Sequence, residues 1–229
     1  MGGTLKTTNS SNEISAFIKQ HKTISKVVKQ QQRLLFVIDA TASRQPTWDL
    51  ACSLTHSLLH ATDGLKGLTL KLCFYRGFEE FRQTDWLTDA DILSRKMSSV
   101  RCAGGQTQIR KTLRHALSEH QSSPIRGLIF IGDAIEEPPH EIIDLAGQCG
   151  LRKLPLFLFQ EGHNLGVEDT FQHMARVSSG AYARFDLGAP GRLRDLLSAV
   201  AAYAQGGYTA LTQRRDDAAL TLLEQLPKS

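Results

Sequence analysis

No stretch of this chain approaches the roughly 18 consecutive apolar residues of a membrane-spanning helix, so no membrane-spanning helix is expected within it. Cysteine is scarce. Cys52, Cys73, Cys102 and Cys149 lie far apart and form no C-x-x-C pair, which argues against a zinc ribbon and against a dithiol redox motif. Cys52, Cys73 and Cys149 sit among apolar neighbours and are expected as buried thiols, as suits a reducing compartment. A large charge excess is also missing. The net charge is +4, and residues 1–33, with six Lys/Arg and one Glu, account for it, so the remainder is close to neutral. No basic cluster is interleaved with aromatics in the manner of a nucleic-acid surface; the lysines of the leader follow an amphipathic pattern and read as a solvated helix face. The N-terminus has neither the apolar core of a signal peptide nor the fixed Ser/Thr of a myristoylation signal, so a cytoplasmic location is expected. G-x-S-x-G, G-x-x-x-x-G-K-[ST] and a G-x-G-x-x-G after a strand are all absent, and serine hydrolase, P-loop nucleotidase and dinucleotide dehydrogenase lose their main support.

What is present is ordinary globular composition, 41% hydrophobic and 22% charged over 229 residues, enough for one sizeable core. Ser10-x-x-Glu13 forms a capping box ahead of Ile14, Phe17, Ile18, His21, Ile24, Val27 and Val28, which recur at helical spacing. An amphipathic helical extension is expected over residues 1–32. Arg33–Asp39 is an apolar run ending in an acid, the pattern of a central strand buried on both faces. Trp48–His60 reads as a helix, with Leu50, Leu54, Leu58 and Ala61 on one face. Leu68, Leu70, Leu72 and Phe74 alternate with Thr69, Lys71, Cys73 and Tyr75, and Arg76-Gly77 then reads as a two-residue hairpin turn, which forces an antiparallel neighbour. Helices over 89–100 and 108–120, a strand over 127–131, a helix over 141–149, a strand over 154–159, a helix over 167–178, a strand over 182–185 and a helix over 193–204 continue the alternation. The fold class is therefore α/β, a mostly parallel sheet with one antiparallel edge strand and helices on both faces. Gly206-Gly207 should break the chain before a helical tail over 206–229 that includes Leu220, Leu223 and Leu226.

Asp39-Ala-Thr41-Ala-Ser43 lies where an apolar strand gives way to a loop, and open α/β sheets bind ligands beyond the carboxyl ends of such strands. Thr107 follows Gly104-Gly105 in a loop before a helix, and Asp133 ends the apolar run Leu128–Ile131. Three separate loops thus bring two acids and three hydroxyls toward one edge. This set resembles the metal-ion-dependent adhesion site of von Willebrand factor A (vWA) domains, whose pattern is Asp-x-Ser-x-Ser, a distant Thr and a distant Asp after a strand. The likeness covers roughly residues 33–205 and includes the hairpin. Thr41 stands where Ser is commoner, which keeps the hydroxyl but restricts its rotamers.

The resemblance implies a Rossmann-like vWA fold, with Thr41, Ser43 and Thr107 offering hydroxyl oxygens and Asp39 and Asp133 acting directly or through water. The ion it implies is Mg²⁺, with Mn²⁺ or Ca²⁺ as alternatives, since hard cations take oxygen ligands and Mg²⁺ commonly retains waters. It further implies a binding module without catalytic residues, like the stand-alone cytoplasmic vWA proteins of bacteria, whose protein partner presents an acidic residue to the ion. The alternative is a Mg²⁺-dependent hydrolase or phosphatase on a Rossmann-like scaffold with Asp39 as nucleophile or ligand. Haloacid-dehalogenase-type phosphatases carry a second Asp two residues later, and here that position is Thr41. Glu136 and Glu137 read as solvated loop acids, or else as rim or ligand groups. Thr107, on a loop beyond the core, is expected to tolerate replacement by Ala at a cost below about 1 kcal/mol. His56 and His60 share a helix face but lack the Glu of H-E-x-x-H, and His115 and His120, five apart, do not share one.

Overall fold

The apolar run at Gln32–Asp39 forms β1, hydrogen-bonded on one side to β2 (Leu68–Arg76) and on the other to β4 (Gly127–Gly132), both parallel to it. The structure is a computed structural model that describes residues 32–61 and 68–228, the side chains of 55–61 and of Ala90 excepted. The N-terminal helix expected over residues 1–32 falls outside these, apart from Gln32, which opens β1. Strand β3 (Glu80–Gln83) pairs antiparallel with β2 at one edge, and β5 (Leu156–Glu161) and β6 (Ala181–Phe185) continue the parallel sheet on the far side, in the order β3-β2-β1-β4-β5-β6. The expected mostly parallel α/β sheet with an antiparallel edge strand is thereby observed.

Alternate residues of β1 feed two cores. Leu34, Phe36 and Ile38 face one layer with α1 (Gln45–Ala61), α2 (Ala90–Ser98), α6 (Pro190–Gln213) and α7 (Asp217–Leu223), through Trp48, Leu93, Met97, Leu196, Val200 and Leu222. Leu35 and Val37 face the other, with α3 (Ile109–Ser122), α4 (Pro139–Leu151) and α5 (Leu165–Val177), through Leu113, Ile142 and Phe171. Strands covered on both faces read as near-continuous apolar runs, which is why β1, β4 and β5 were recognisable.

One element differs in detail from the sequence reading. The β2–β3 connection is three residues, Gly77, Phe78 and Glu79, with Gly77 and Glu79 at φ of 59° and 60°; the extra residue places a left-handed position on a glutamate. Both faces of β2 are covered: Thr69, Lys71, Cys73 and Tyr75, which alternate with its apolar residues, are buried too. Gly207, at φ 66° and ψ −155°, is non-helical and kinks the chain between two helical stretches of α6, at the place where Gly206-Gly207 was expected to break it; the second stretch runs on to Gln213. Beyond the kink Leu211, Ala218, Ala219, Leu222 and Leu226 are buried in the same core as β1.

The far edge of the sheet is closed by one side chain. The Gln225 amide accepts from the backbone N–H of Tyr182 and donates to its carbonyl, both at 2.9 Å. Among the described residues no helix is long and apolar enough to cross a membrane, and the four cysteines are free thiols, Cys73 and Cys149 buried and Cys52 and Cys102 half-buried. Burial pushes Cys52, Cys73 and Cys149 up to about 12 and Cys102 to about 11.

Candidate metal site at the carboxyl edge

The chain leaves β1 toward β2 on one side and later returns to β4 on the other, so the connections diverge between β1 and β4. A crevice opens beyond such a switch point. Asp39 ends β1 and Asp133 follows β4, which places both acids at that crevice. Asp39 is wholly buried: its Oδ1 accepts from the backbone N–H of Thr41 at 2.8 Å and its Oδ2 from the Tyr75 hydroxyl at 3.3 Å. Those bonds fold the chain back at Thr41 and start the short 3₁₀ turn Ala42–Arg44.

The second loop is tied down from several sides. The N–H of Ala103 donates to the carbonyl of Ala40 at 3.1 Å, and that of Cys102 to the Gln45 side chain at 3.0 Å. Gly105 lies against the hairpin turn so closely that a Cβ there would sit 2.0 Å from the Gly77 carbonyl oxygen. No other residue type fits that approach without moving the loop. Thr107, held next to it, donates its backbone N–H to Glu136 at 2.8 Å and accepts from the Glu136 N–H on its hydroxyl at 3.0 Å. Glu137 accepts from the N–H groups of Ile109 and Arg110, doing for α3 what its own N-cap residue, Gln108, does not. Glu136, exposed at the cavity rim, and Glu137, half-buried, thus also accept from backbone donors, a role the sequence reading did not give them.

Thr41, Ser43, Thr107 and Asp133 line a common cavity of about 210 Å³, together with Gly104, Gly105 and Glu136. Asp39 lies beneath it and does not line it. Burial pushes the Asp39 carboxyl up to about 6, its hydrogen bonds with Thr41 oppose that, and the charge of Asp133 adds to the rise. Asp133 is raised as well, first by burial, with Arg44 opposing and Glu161 adding. One oxygen of Asp133, Oδ1, is buried without a hydrogen-bond partner, an expensive state for a carboxylate unless something outside the chain completes it.

The donor set is two carboxylates and three hydroxyls, all hard oxygens, and it fits Mg²⁺ or Mn²⁺ better than a softer metal. Among the described residues no group of three or more His, Cys, Asp or Glu is placed to hold a metal, so an ion here would depend on hydroxyls as well as acids. His120 is accounted for structurally, its Nδ1 accepting from the Ile125 N–H and its Nε2 meeting the Arg152 carbonyl; the side chains of His56 and His60 fall outside the described residues.

No family model matches the sequence, and no curated protein matches it. Solved structures do. A von Willebrand factor type A protein from Catenulispora acidiphila is 14% identical with a TM-score of 0.59, over 77% of this chain and 43% of that one. The vWA domain of SpRpn10 is 10% identical with a TM-score of 0.55, over 71% and 95% respectively. The fold is that of a vWA domain. The manganese-loaded TRAP protein of Plasmodium vivax aligns as well, at 13% identity and a TM-score of 0.51 over 70% of each chain. In this chain the vWA fold spans less than half of the Catenulispora protein and nearly all of the SpRpn10 domain.

Two residues of the crevice escaped the sequence reading. Arg44, directly after the Asp-x-Thr-x-Ser run, is 7% exposed, and its guanidinium meets Asp133 Oδ2 at 3.1 Å, the Glu161 carboxylate and the Thr47 hydroxyl. Glu161 ends β5 and also accepts from Thr47. A signal for Glu161 existed: like Asp39 and Asp133, it is an acid closing an apolar strand of the parallel sheet.

Proposed function

We propose that the crevice takes one divalent cation of the Mg²⁺ or Mn²⁺ type, with Ca²⁺ as a weaker fit, and that the chain is a cation-dependent protein-binding module. The place of Asp133 on a cavity shared with three hydroxyl residues, together with its buried and unpartnered Oδ1, carries this reading. Thr41, Ser43, Thr107 and Asp133 would hold the ion, and Asp39 would act on it from below by keeping Thr41 in place. When bound, a divalent cation with few charged protein ligands supplies positive charge that can accept a carboxylate from another molecule.

The rim supports a macromolecular partner. Of the five large apolar side chains exposed among the described residues, Phe78 (91%), Leu165 (72%) and Leu187 follow β2, β5 and β6 at the edge that carries the cavity. Exposed apolar groups on the same edge as a polar cavity suit a protein-binding surface. The partner is accordingly a protein that presents an acidic residue. The hydrolase reading is weaker, because Asp39 is wholly buried with both oxygens engaged and has no approach to a substrate. Free thiols fit a reducing compartment, so we place the chain in the cytoplasm.

Calorimetric titration with Mn²⁺ tests the reading. One site is expected in the millimolar range or tighter, weakened at least about tenfold, the scale of losing a metal's supporting group, in Asp133→Asn. Absence of heat in the wild type, or unchanged affinity in Asp133→Asn, would remove the cation from the proposal.

A further inference from the structure

The crevice already contains a cation. Arg44 is buried between two strand ends: one terminal nitrogen is 3.1 Å from Asp133 Oδ2 and 3.4 Å from the Ser43 carbonyl, while the other engages the Glu161 carboxylate and, at 3.1 Å, the Thr47 hydroxyl. Thr47 donates in turn to Glu161. Its remaining nitrogen, Nε, is buried without a partner, so the side chain is held by its two terminal nitrogens. Against this single positive charge stand three acids, Asp39, Asp133 and Glu161, ending β1, following β4 and ending β5. Glu136 lines the cavity as well, so the acids outnumber the one resident cation, an imbalance that a divalent ion would reduce. Arg44 occupies Oδ2 of Asp133, while Oδ1 is buried without a partner.

We propose that Arg44 is the resident counter-cation of the site: it joins Asp133 to Glu161 when no metal is bound and, by supplying part of the positive charge in advance, holds the affinity for a divalent ion down. The proposal rests on the reading that the crevice binds such an ion. Two like charges on one carboxylate repel, strongly where water is excluded, so the arginine and the ion oppose each other although they use different oxygens of Asp133. Only a guanidinium can bridge the two acids with separate nitrogens in a fixed fork; a lysine ammonium carries the same charge at one point. Charge and bridging are therefore separable by substitution.

Mn²⁺ titration followed by the loss of the free-ion electron paramagnetic resonance signal, paired with thermal melts with and without Mn²⁺, provides the test. Arg44→Gln should bind Mn²⁺ about tenfold more tightly than the wild type, a shift of one decade in affinity. Its melting temperature should be lower without metal and should rise more on adding Mn²⁺ than that of the wild type. Arg44→Lys should keep an affinity near the wild-type value while losing metal-free stability. Glu161→Gln, which leaves Arg44 less compensated, should bind Mn²⁺ more weakly; if Arg44→Gln does not fold, this variant decides, and equal or tighter binding in it overturns the proposal.

Wild-type binding combined with equal or weaker binding in folded Arg44→Gln overturns the role of Arg44 and leaves the cation site standing. Binding by Arg44→Gln but not by the wild type overturns the native cation site while upholding Arg44 as the group that suppresses it. Binding by neither overturns both.

Discussion

Lys71 and Arg44 are each 7% exposed and each paired with an acid, yet their surroundings are completed to different degrees. Lys71, on β2, is 2.7 Å from one oxygen of Glu119; the other accepts from the Trp86 indole N–H at 2.8 Å, and the ammonium lies 5.7 Å from the Trp86 ring centre. Arg33 covers the same ring at 4.9 Å. Both Glu119 oxygens are used. At the carboxyl edge, by contrast, Asp133 Oδ1 and Arg44 Nε lack partners. A buried ion pair is tolerable when its remaining hydrogen-bonding groups are satisfied and costly when they are not. The Lys71–Glu119 pair thus reads as an internal brace with both carboxylate oxygens satisfied, and the second cluster as one that leaves a carboxylate oxygen and a guanidinium nitrogen unpaired. His115 is the exception within the brace: its Nε2 has no hydrogen-bond partner, 3.9 Å from Glu119, and burial, followed by the charge of Lys71, lowers its pKa toward the neutral ring.

The sharpest way to break this contrast is Glu119→Ala, which strands the Lys71 charge in the interior. A loss of about 3 kcal/mol is expected in urea unfolding, the scale of breaking a buried pair from one side, with Mn²⁺ binding unchanged. The pH dependence of that loss carries a definite sign. Burial alone would raise the Glu119 carboxyl, but the hydrogen bonds from Lys71 and Trp86 outweigh it and hold it below 4.5. A depressed folded-state value means that the stabilisation is complete above the unfolded value and disappears as pH falls through the folded one. The stability gap between wild type and Glu119→Ala should stay level above about pH 5 and shrink below it; a gap that widens in acid would reject the brace.

A smaller effect is expected at Thr107. The expectation of a cost below about 1 kcal/mol for Thr107→Ala treated it as a free loop residue. Its hydroxyl, however, accepts from the Glu136 N–H, and the residue is 5% exposed. Removing that acceptor should cost about 1.5 kcal/mol, together with weaker Mn²⁺ binding; a melt identical to the wild type would restore the loop reading.

Asp133→Asn should have the smallest effect on stability, under about 1 kcal/mol without metal. Arg44 keeps Glu161, and the amide removes a charge whose burial was unfavourable. Urea unfolding should place it near the wild type. If it falls as far as Glu119→Ala, the two clusters are alike and the distinction between them fails.

Most of the fold was legible because period and punctuation agreed. The helix expected from residue 89 is α2, which Asp89 caps by accepting from the N–H groups of Asp91 and Ile92, and the apolar runs of β1, β4 and β5 became the doubly covered centre of the sheet. At the site, Asp39, Thr41, Ser43, Thr107 and Asp133 were nameable because each follows a strand or precedes a helix, and the structure gathers four of them on one cavity with Asp39 below. What stayed hidden depends on pairing across long separations. Arg44 and Glu161 are 117 positions apart, and Glu137 reaches back 28 to cap Ile109. Neither pairing has a local period, and only the crossover topology that sets β5 beside β4 and β4 beside β1 brings the partners together. The hairpin turn was misjudged by one residue for a local reason, since nothing in Phe78-Glu79 announces a left-handed glutamate.

The Gln225 amide on Tyr182 has a consequence for solution behaviour. A parallel sheet that ends in an uncovered strand offers its outer N–H and C=O groups as a template for another chain. At Tyr182 both groups are already taken by a side chain that imitates one rung of a neighbouring strand. Two residues on, where the same side of β6 would present its next rung, stands the exposed, charged Arg184. A second molecule that tried to extend the sheet would have to displace the amide at one rung and desolvate a guanidinium at the next. This border of the molecule is thereby a poor template for extending the sheet by another chain.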